Sequence, residues 1–124
     1  MNYNWIQLGS FFMFTAVGLG AFGSHALRGK ISDYYLDVYK TAVLYHFIHA
    51  LALFIVAWLL AQSGNPKFST AGLFFMIGII LFSGSLYALS ITGIKWLGAI
   101  TPLGGIAFLM GWGFIFISQY QPLK

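Results

Sequence analysis

Four long apolar blocks constrain this chain more than any other feature of its sequence. They cover residues 5–23, 42–61, 70–91 and 97–117, and none contains Asp, Glu, Lys or Arg. A helix that crosses a bilayer needs about 20 mostly apolar residues, and charged side chains are costly at mid-bilayer. We therefore predict an all-α integral membrane protein, a four-transmembrane-helix bundle that forms a single domain over residues 1–124.

The composition excludes a water-soluble fold and several kinds of chemistry. The chain is 60% hydrophobic and 6% charged, whereas soluble domains carry about 25% charged residues. Its basic residues are scattered, so no basic patch exists for nucleic acid. The absence of cysteine excludes disulfides, thiol catalysis and cysteine metal sites. We expect a lipid bilayer as the main partner and no cofactor.

The connection between the first two blocks has a helical pattern of its own. In residues 31–41, apolar and tyrosine side chains recur at i, i+3, i+4 and i+7, while Asp33 and Asp37 fall off this stripe. This spacing predicts an amphipathic helix with Ser32 as its N-cap. The segment either lies on the membrane or extends the second helix outward.

Four crossings put both termini and the turn at residues 62–68 on one side of the membrane, here called side A. Side B holds residues 24–41 and the turn at 92–96. Basic residues favour the cytoplasmic side, and side B has four of them against two on side A. These are Arg28, Lys30, Lys40 and Lys95 on side B, and Lys67 and Lys124 on side A. A difference of two charges leaves the orientation open.

Most of the unusual polar residues fall toward the side-B ends of the blocks. Lipid offers no hydrogen bonds, so such groups must find partners inside the bundle or in a wet cavity. We therefore predict a polar or ligand-binding cluster at the side-B end, capped by residues 24–41. Its predicted members are His25, Tyr45, His46, His49, Ser83, Ser85, Tyr87 and Thr101.

The chemistry of this cluster has several interpretations. His46 and His49, three residues apart on one helix face, suit a metal or haem pair, a proton relay, or two structural histidines; the structural interpretation is favoured because no third ligand is evident. Ser83 and Ser85 lack a neighbouring base in sequence, and therefore we predict no catalytic residue. Asp33 and Asp37 are expected on a solvated face, where either could bond to His25.

Small residues predict close helix packing. The run from Gly18 to His25 looks like a nucleotide loop but ends a spanning helix, so packing is the better interpretation. Pro102 either kinks the fourth helix or begins it, and we expect the kink. The predicted packing residues are Gly20, Ser24, Gly84, Pro102, Gly105 and Gly111.

Four motifs together resemble a known family. GLGAFGSHAL, YHFIHALAL, FSGSLYAL and TPLGGIAFLMGW occur in that order along nearly the whole chain. They are similar to those of the small bacterial YgdD/YwdK-like membrane proteins, a family of unknown function with eukaryotic relatives. The resemblance implies a four-helix protein of the bacterial cell (inner) membrane and adds no activity.

Two functional classes follow. The first is a structural or accessory bundle that self-associates as a homo-oligomer or joins a larger membrane complex. The second binds or transports a small molecule, lipid or proton through the polar cluster. An intramembrane enzyme is the least favoured class, because the sequence lacks a credible acid–base or metal set.

Overall fold

The computed structural model describes residues 4–118, and every regular element in this range is helical. The first crossing is α1 (Trp5–Phe22), which ends in a π-helical turn (Gly23–Leu27), and the second is α2 (Asp33–Ser63). The third is α3 (Pro66–Gly78), a π-helical turn (Ile79–Ser83) and α4 (Gly84–Thr92). The fourth is a 3-10 turn (Lys95–Ala99) and α5 (Thr101–Ile117). Within the described range, these four stretches are long and apolar enough to cross a membrane.

Local sequence signals fix the helix ends. The side chains of Asn4, Ser32 and Asn65 each accept a hydrogen bond from a backbone N–H in the first turn of the helix that follows. Gly64 and Gly93 end α2 and α4 with φ of 65° and 69°, a left-handed conformation that costs glycine little. The capping residues and glycines of the sequence therefore determine where these helices begin and end.

Residues 31–41 do not form a separate cap. Ser32 caps α2, which begins at Asp33 and continues to Ser63, because no helix-breaking residue interrupts this stretch. Of the two predicted arrangements, the structure has the outward extension of the second helix.

The expected kink at Pro102 is wrong. Pro102 lies in the first turn of α5, which begins at Thr101 immediately after the 3-10 turn. Since the first backbone N–H groups of a helix have no partner within that helix, proline costs little there. The alternative, that Pro102 begins the helix, is the observed arrangement, with Ile100 rather than Thr101 as the N-cap.

Close contacts between helices depend on glycines. The core lies where α1 and α2 pack together and where α3 packs against α5, around Trp5, Leu53 and Phe75. A Cβ atom at Gly104 would lie 2.3 Å from the backbone nitrogen of Phe82, inside van der Waals contact. The third and fourth crossings can therefore approach this closely only with glycine at position 104.

The outer surface is apolar. Phe14, Leu109 and Phe116 are 79%, 72% and 89% exposed, and they belong to a much larger set of exposed hydrophobic side chains. Soluble monomers do not carry such extended apolar surfaces. Together with the four long helices, this surface confirms the predicted class of all-α multi-pass membrane proteins.

Replacing Gly104 with Ala should destabilise the bundle, because the new methyl group meets the backbone of Phe82. Overpacking of this kind costs about 1–3 kcal/mol, measurable as a lower unfolding temperature in detergent. Gly113→Ala on the same helix is the matched control, since nothing lies within 4 Å of a Cβ built there. Equal unfolding temperatures for the two variants would contradict the packing.

Candidate functional site

His46 lies at the junction of α1, α2 and α4. Its Nε2 is 3.1 Å from Thr15 Oγ1 on α1, and its Nδ1 is 2.9 Å from the Tyr87 hydroxyl on α4. The ring is buried, and Phe12 and Tyr87 contact it edge-on. One imidazole therefore links three helices.

The partners of His46 set the direction of its hydrogen bonds. Thr15 Oγ1 already donates its proton to the Phe12 carbonyl, 2.9 Å away, so it accepts from His46 Nε2–H. The Nδ1 atom of the neutral ring then accepts from the Tyr87 hydroxyl. The chain of donors runs from Tyr87 through His46 and Thr15 to Phe12.

His49 has the opposite tautomer. Trp112 Nε1–H can only donate, and it lies 3.0 Å from His49 Nε2, so this nitrogen carries a lone pair. The Nδ1 atom, 2.8 Å from the Tyr45 carbonyl, carries the proton. The ring also stacks on Phe108, with centroids 3.5 Å apart. His49 thus joins α2 to α5.

The predicted serines and threonine also bond within the bundle. Ser83 Oγ, on the π-helical turn, donates to the Ala42 carbonyl of α2 at 2.8 Å. Ser85 Oγ donates to the Phe82 carbonyl at 3.0 Å and lies 2.6 Å from Thr101 Oγ1, which therefore donates to it. These bonds connect the third crossing to α2 and to α5.

The structure brings the predicted members together as separate pairs: His46 with Tyr87, His49 with the Tyr45 backbone, and Ser85 with Thr101. It does not bring His25 to them. The His25 side chain is exposed on the π-helical turn after α1, where it needs no protein partner. Among residues 4–118, no group of three or more His, Cys, Asp or Glu residues could hold a metal ion.

The predicted packing residues have unequal surroundings. A Cβ at Gly111 would lie 2.5 Å from Phe75, and one at Gly20 would lie 3.4 Å from Val43. At Gly105 the nearest atom, on Phe82, is 3.9 Å away, and at Gly84 nothing lies within 4 Å. Ser24 is exposed. Close packing thus occurs at some of these positions only.

Two hydrogen-bond partners of the buried histidines lie outside the predicted cluster. Neither Thr15, a hydroxyl residue in the middle of block one, nor Trp112, in the last of the four motifs, is among the predicted cluster members. The antiparallel order of the first two blocks is the sequence signal that places Thr15 near the level of His46. The structure has the same register at Tyr39, whose hydroxyl donates to the Leu19 carbonyl. No sequence signal sets the rotation of α5 that brings Trp112 to His49.

An open groove lies beside His49, between α2, the π-helical turn and α5. It encloses about 430 Å³ and is mostly apolar. Tyr45, Phe82 and Trp112 line it, together with the exposed edge of Pro102. His49 borders the groove, but both ring nitrogens are already bonded within the chain.

Comparisons with known proteins place the chain among membrane proteins of unknown function. The family described as "Protein of unknown function (DUF423)" matches residues 19–105. UPF0382 membrane protein YwdK of Bacillus subtilis is 55% identical over 119 residues, 95% of this chain and 97% of that protein. UPF0382 membrane protein SAB0533 of Staphylococcus aureus is 46% identical over 116 residues, 94% of each chain. No solved structure matches.

Thr15→Val should destabilise the protein, because it leaves the buried His46 Nε2–H without its acceptor. Hydrogen bonds between membrane helices contribute about 0.6 kcal/mol and at most about 1.7, so we expect a loss of about 1 kcal/mol in detergent unfolding. Thr41→Val is the control, since exposed Thr41 bonds only to its own helix.

A double-mutant cycle isolates this bond. In a His46→Phe background the Thr15→Val change should cost almost nothing. A loss of the same size in both backgrounds would mean that Thr15 stabilises the bundle without His46.

Proposed function

Because the chain belongs to the DUF423 family, whose relatives are membrane proteins of unknown function, we propose a non-enzymatic structural role. The protein is a compact bundle of the bacterial cell (inner) membrane that associates with a second copy of itself and acts as an accessory subunit.

The observation that carries this proposal is that the buried polar side chains already have hydrogen-bond partners. In residues 4–118, every buried side-chain nitrogen or oxygen atom has a hydrogen-bond partner in the same chain. A general base or a metal ligand needs a free lone pair aimed at its target. Both histidines instead have both ring nitrogens bonded within the chain. Three of these four bonds reach another helix, and the fourth joins His49 Nδ1 to the Tyr45 carbonyl within α2. This arrangement supports a structural role for His46 and His49.

The outer face of α1 supports self-association. Gly18 lies in the middle of a spanning helix, and a Cβ there would meet nothing within 4 Å. Glycine inside a helix costs about 1 kcal/mol relative to alanine, and packing within the chain does not explain it here. Small residues on membrane helices let a second helix approach closely. Gly84 and Gly113 are open in the same way, so the choice of Gly18 rests on the groove beside it.

The surroundings of Gly18 suit a second copy of the same chain. Gly18 borders an apolar groove of about 480 Å³ between α1 and the Phe54 side chain of α2. Phe14, one turn away and 79% exposed, also borders this groove. In a two-fold dimer the same surface meets itself, so Phe14 of each copy would pack over Gly18 of the other.

A second candidate function is the binding of an apolar or lipid-like molecule in the groove beside His49. Its volume of about 430 Å³ lies in the range of small-molecule pockets, and this favours the candidate. Ile106 lines the groove and is 57% exposed, so Ile106→Trp would fill it without disturbing the core. Native mass spectrometry should then show a copurified molecule on the unmodified protein that is absent from the variant; identical spectra would exclude this candidate.

Gly18→Leu should weaken self-association in lipid bilayers, because the new side chain occupies the surface on which Phe14 of the second copy would pack. We expect the dimer dissociation constant to rise about tenfold or more, which corresponds to about 1.4 kcal/mol. Single-molecule photobleaching at varied protein-to-lipid ratios measures it.

Gly113→Leu is the matched control, because Gly113 is also open to the surroundings but lies on α5. It should leave the dissociation constant unchanged. A protein that is monomeric at every density, or a dimer that is sensitive to Gly113 and not to Gly18, would reject the α1 interface.

A further inference from the structure

We propose that a basic pocket at side B, between the end of α1 and the start of α2, binds the phosphate of an anionic phospholipid, and that one acyl chain lies in the groove below it. The pocket encloses about 330 Å³, and more polar than apolar surface lines it. Arg28, Asp33 and Lys40 supply its charged groups, and Gly23 and Ser24 form its wall toward α1.

Local backbone structure opens this pocket. The chain leaves α1 through the π-helical turn and reverses at Gly29, whose φ is 80°. A Cβ at Gly23 would lie 2.3 Å from the ring of Tyr39, so glycine there lets the two helices meet just below the pocket. The contact between Gly23 and Tyr39 therefore bounds the pocket on one side.

The charge of the pocket suits a phosphate. Arg28 and Lys40 contribute two positive charges and Asp33 one negative charge, a net charge of +1. Within the described part of the chain, neither basic side chain is held in an ion pair. Both are exposed, so they are free to contact an anion. Guanidinium and ammonium groups are the common protein donors to phosphate oxygens.

The pocket continues toward the bilayer. A second, narrower groove of about 120 Å³ shares Gly23, Ser24 and Lys40 with it and extends to Gly20 and Val43. These last two residues lie one helical turn further into α1 and α2 than Gly23 and Tyr39. A headgroup in the pocket would thus direct an acyl chain into the groove, which a free anion could not use.

The pocket also lies at the depth of lipid headgroups. Tyr34 on the first turn of α2 is 69% exposed, and Trp96 in the other side-B turn is 66% exposed. Exposed tyrosine and tryptophan are typical of the membrane interface. Basic pockets between membrane helices at this level bind anionic headgroups, and this combination favours a lipid over a soluble phosphate compound.

The test is native mass spectrometry of the full-length, delipidated protein titrated with dioleoyl phosphatidylglycerol or dioleoyl phosphatidylcholine. The phosphatidylglycerol complex should be the tighter one. Arg28→Gln and Lys40→Gln should each weaken it about fivefold, because one basic residue near the surface contributes roughly 1 kcal/mol. Asp33→Asn should strengthen it. Because all three side chains are exposed, the unfolding temperatures should stay unchanged, which checks that the variants fold.

Lys95→Gln is the matched control, because it removes the same charge from side B outside the pocket. It should leave the affinity unchanged. An equal loss with Lys95→Gln would mean diffuse surface attraction and would overturn the proposal. Competition by millimolar inorganic phosphate or glycerol 3-phosphate as effective as that by the lipid would assign the pocket to a soluble anion and overturn it as well. Equal affinity for the two lipids would do the same.

Discussion

The absence of hydrogen-bond partners in hydrocarbon is the constraint on which the rest of this structure depends. A buried imidazole or hydroxyl that lacks a partner there costs several kcal/mol, so each polar side chain decides which helix must lie beside it. The second crossing, α2, shows this most clearly. Its two histidines are three residues apart, yet His46 bonds to Thr15 and Tyr87 while His49 bonds to Trp112. One helix therefore orients all three other crossings, and these polar side chains specify which helix faces meet.

Irregular backbone completes this arrangement. The π-helical turn between α3 and α4 presents Ser83 to the Ala42 carbonyl, and glycine at position 104 lets α5 approach the backbone of Phe82. Such irregularity is tolerated at membrane depth only where protein covers it. The same reasoning separates interior from surface glycines: Gly104 is explained by a neighbour in its own chain, whereas Gly18 is not. The proposed self-association and the proposed lipid pocket both use such surface features. Within residues 4–118, the open Gly18 and the unpaired Arg28 and Lys40 have no explanation in the packing of a single chain.

The features that depend on composition and on the direction of each helix through the membrane can be predicted from the sequence. The features that depend on the rotation of each helix about its axis cannot. Chemistry that is local along the chain gives the four apolar blocks, the helix cap at Ser32 and the membrane class. The concentration of polar residues toward side B follows from counting crossings. The partners of each residue do not, because a modest rotation of one helix exchanges one neighbour for another. Sequence reasoning therefore does not find Thr15 and Trp112, and it groups His25 with the buried histidines although the structure has its side chain exposed. Proline lacks a backbone N–H both at a kink and at a helix start, so the sequence alone does not distinguish the two. The 3-10 turn that precedes α5 places Pro102 in the first turn of that helix.

We propose that the buried histidines are structural, with both nitrogens of each ring bonded within one chain. Nitrogen-15 NMR of the histidine side chains in lipid bilayers, assigned with His46→Phe and His49→Phe, tests it most directly. We expect two neutral rings of opposite tautomer, Nε2–H for His46 and Nδ1–H for His49, and neither signal should change when a divalent metal is added. The same tautomer in both rings, a doubly protonated ring at neutral pH, or a metal-dependent shift would contradict it.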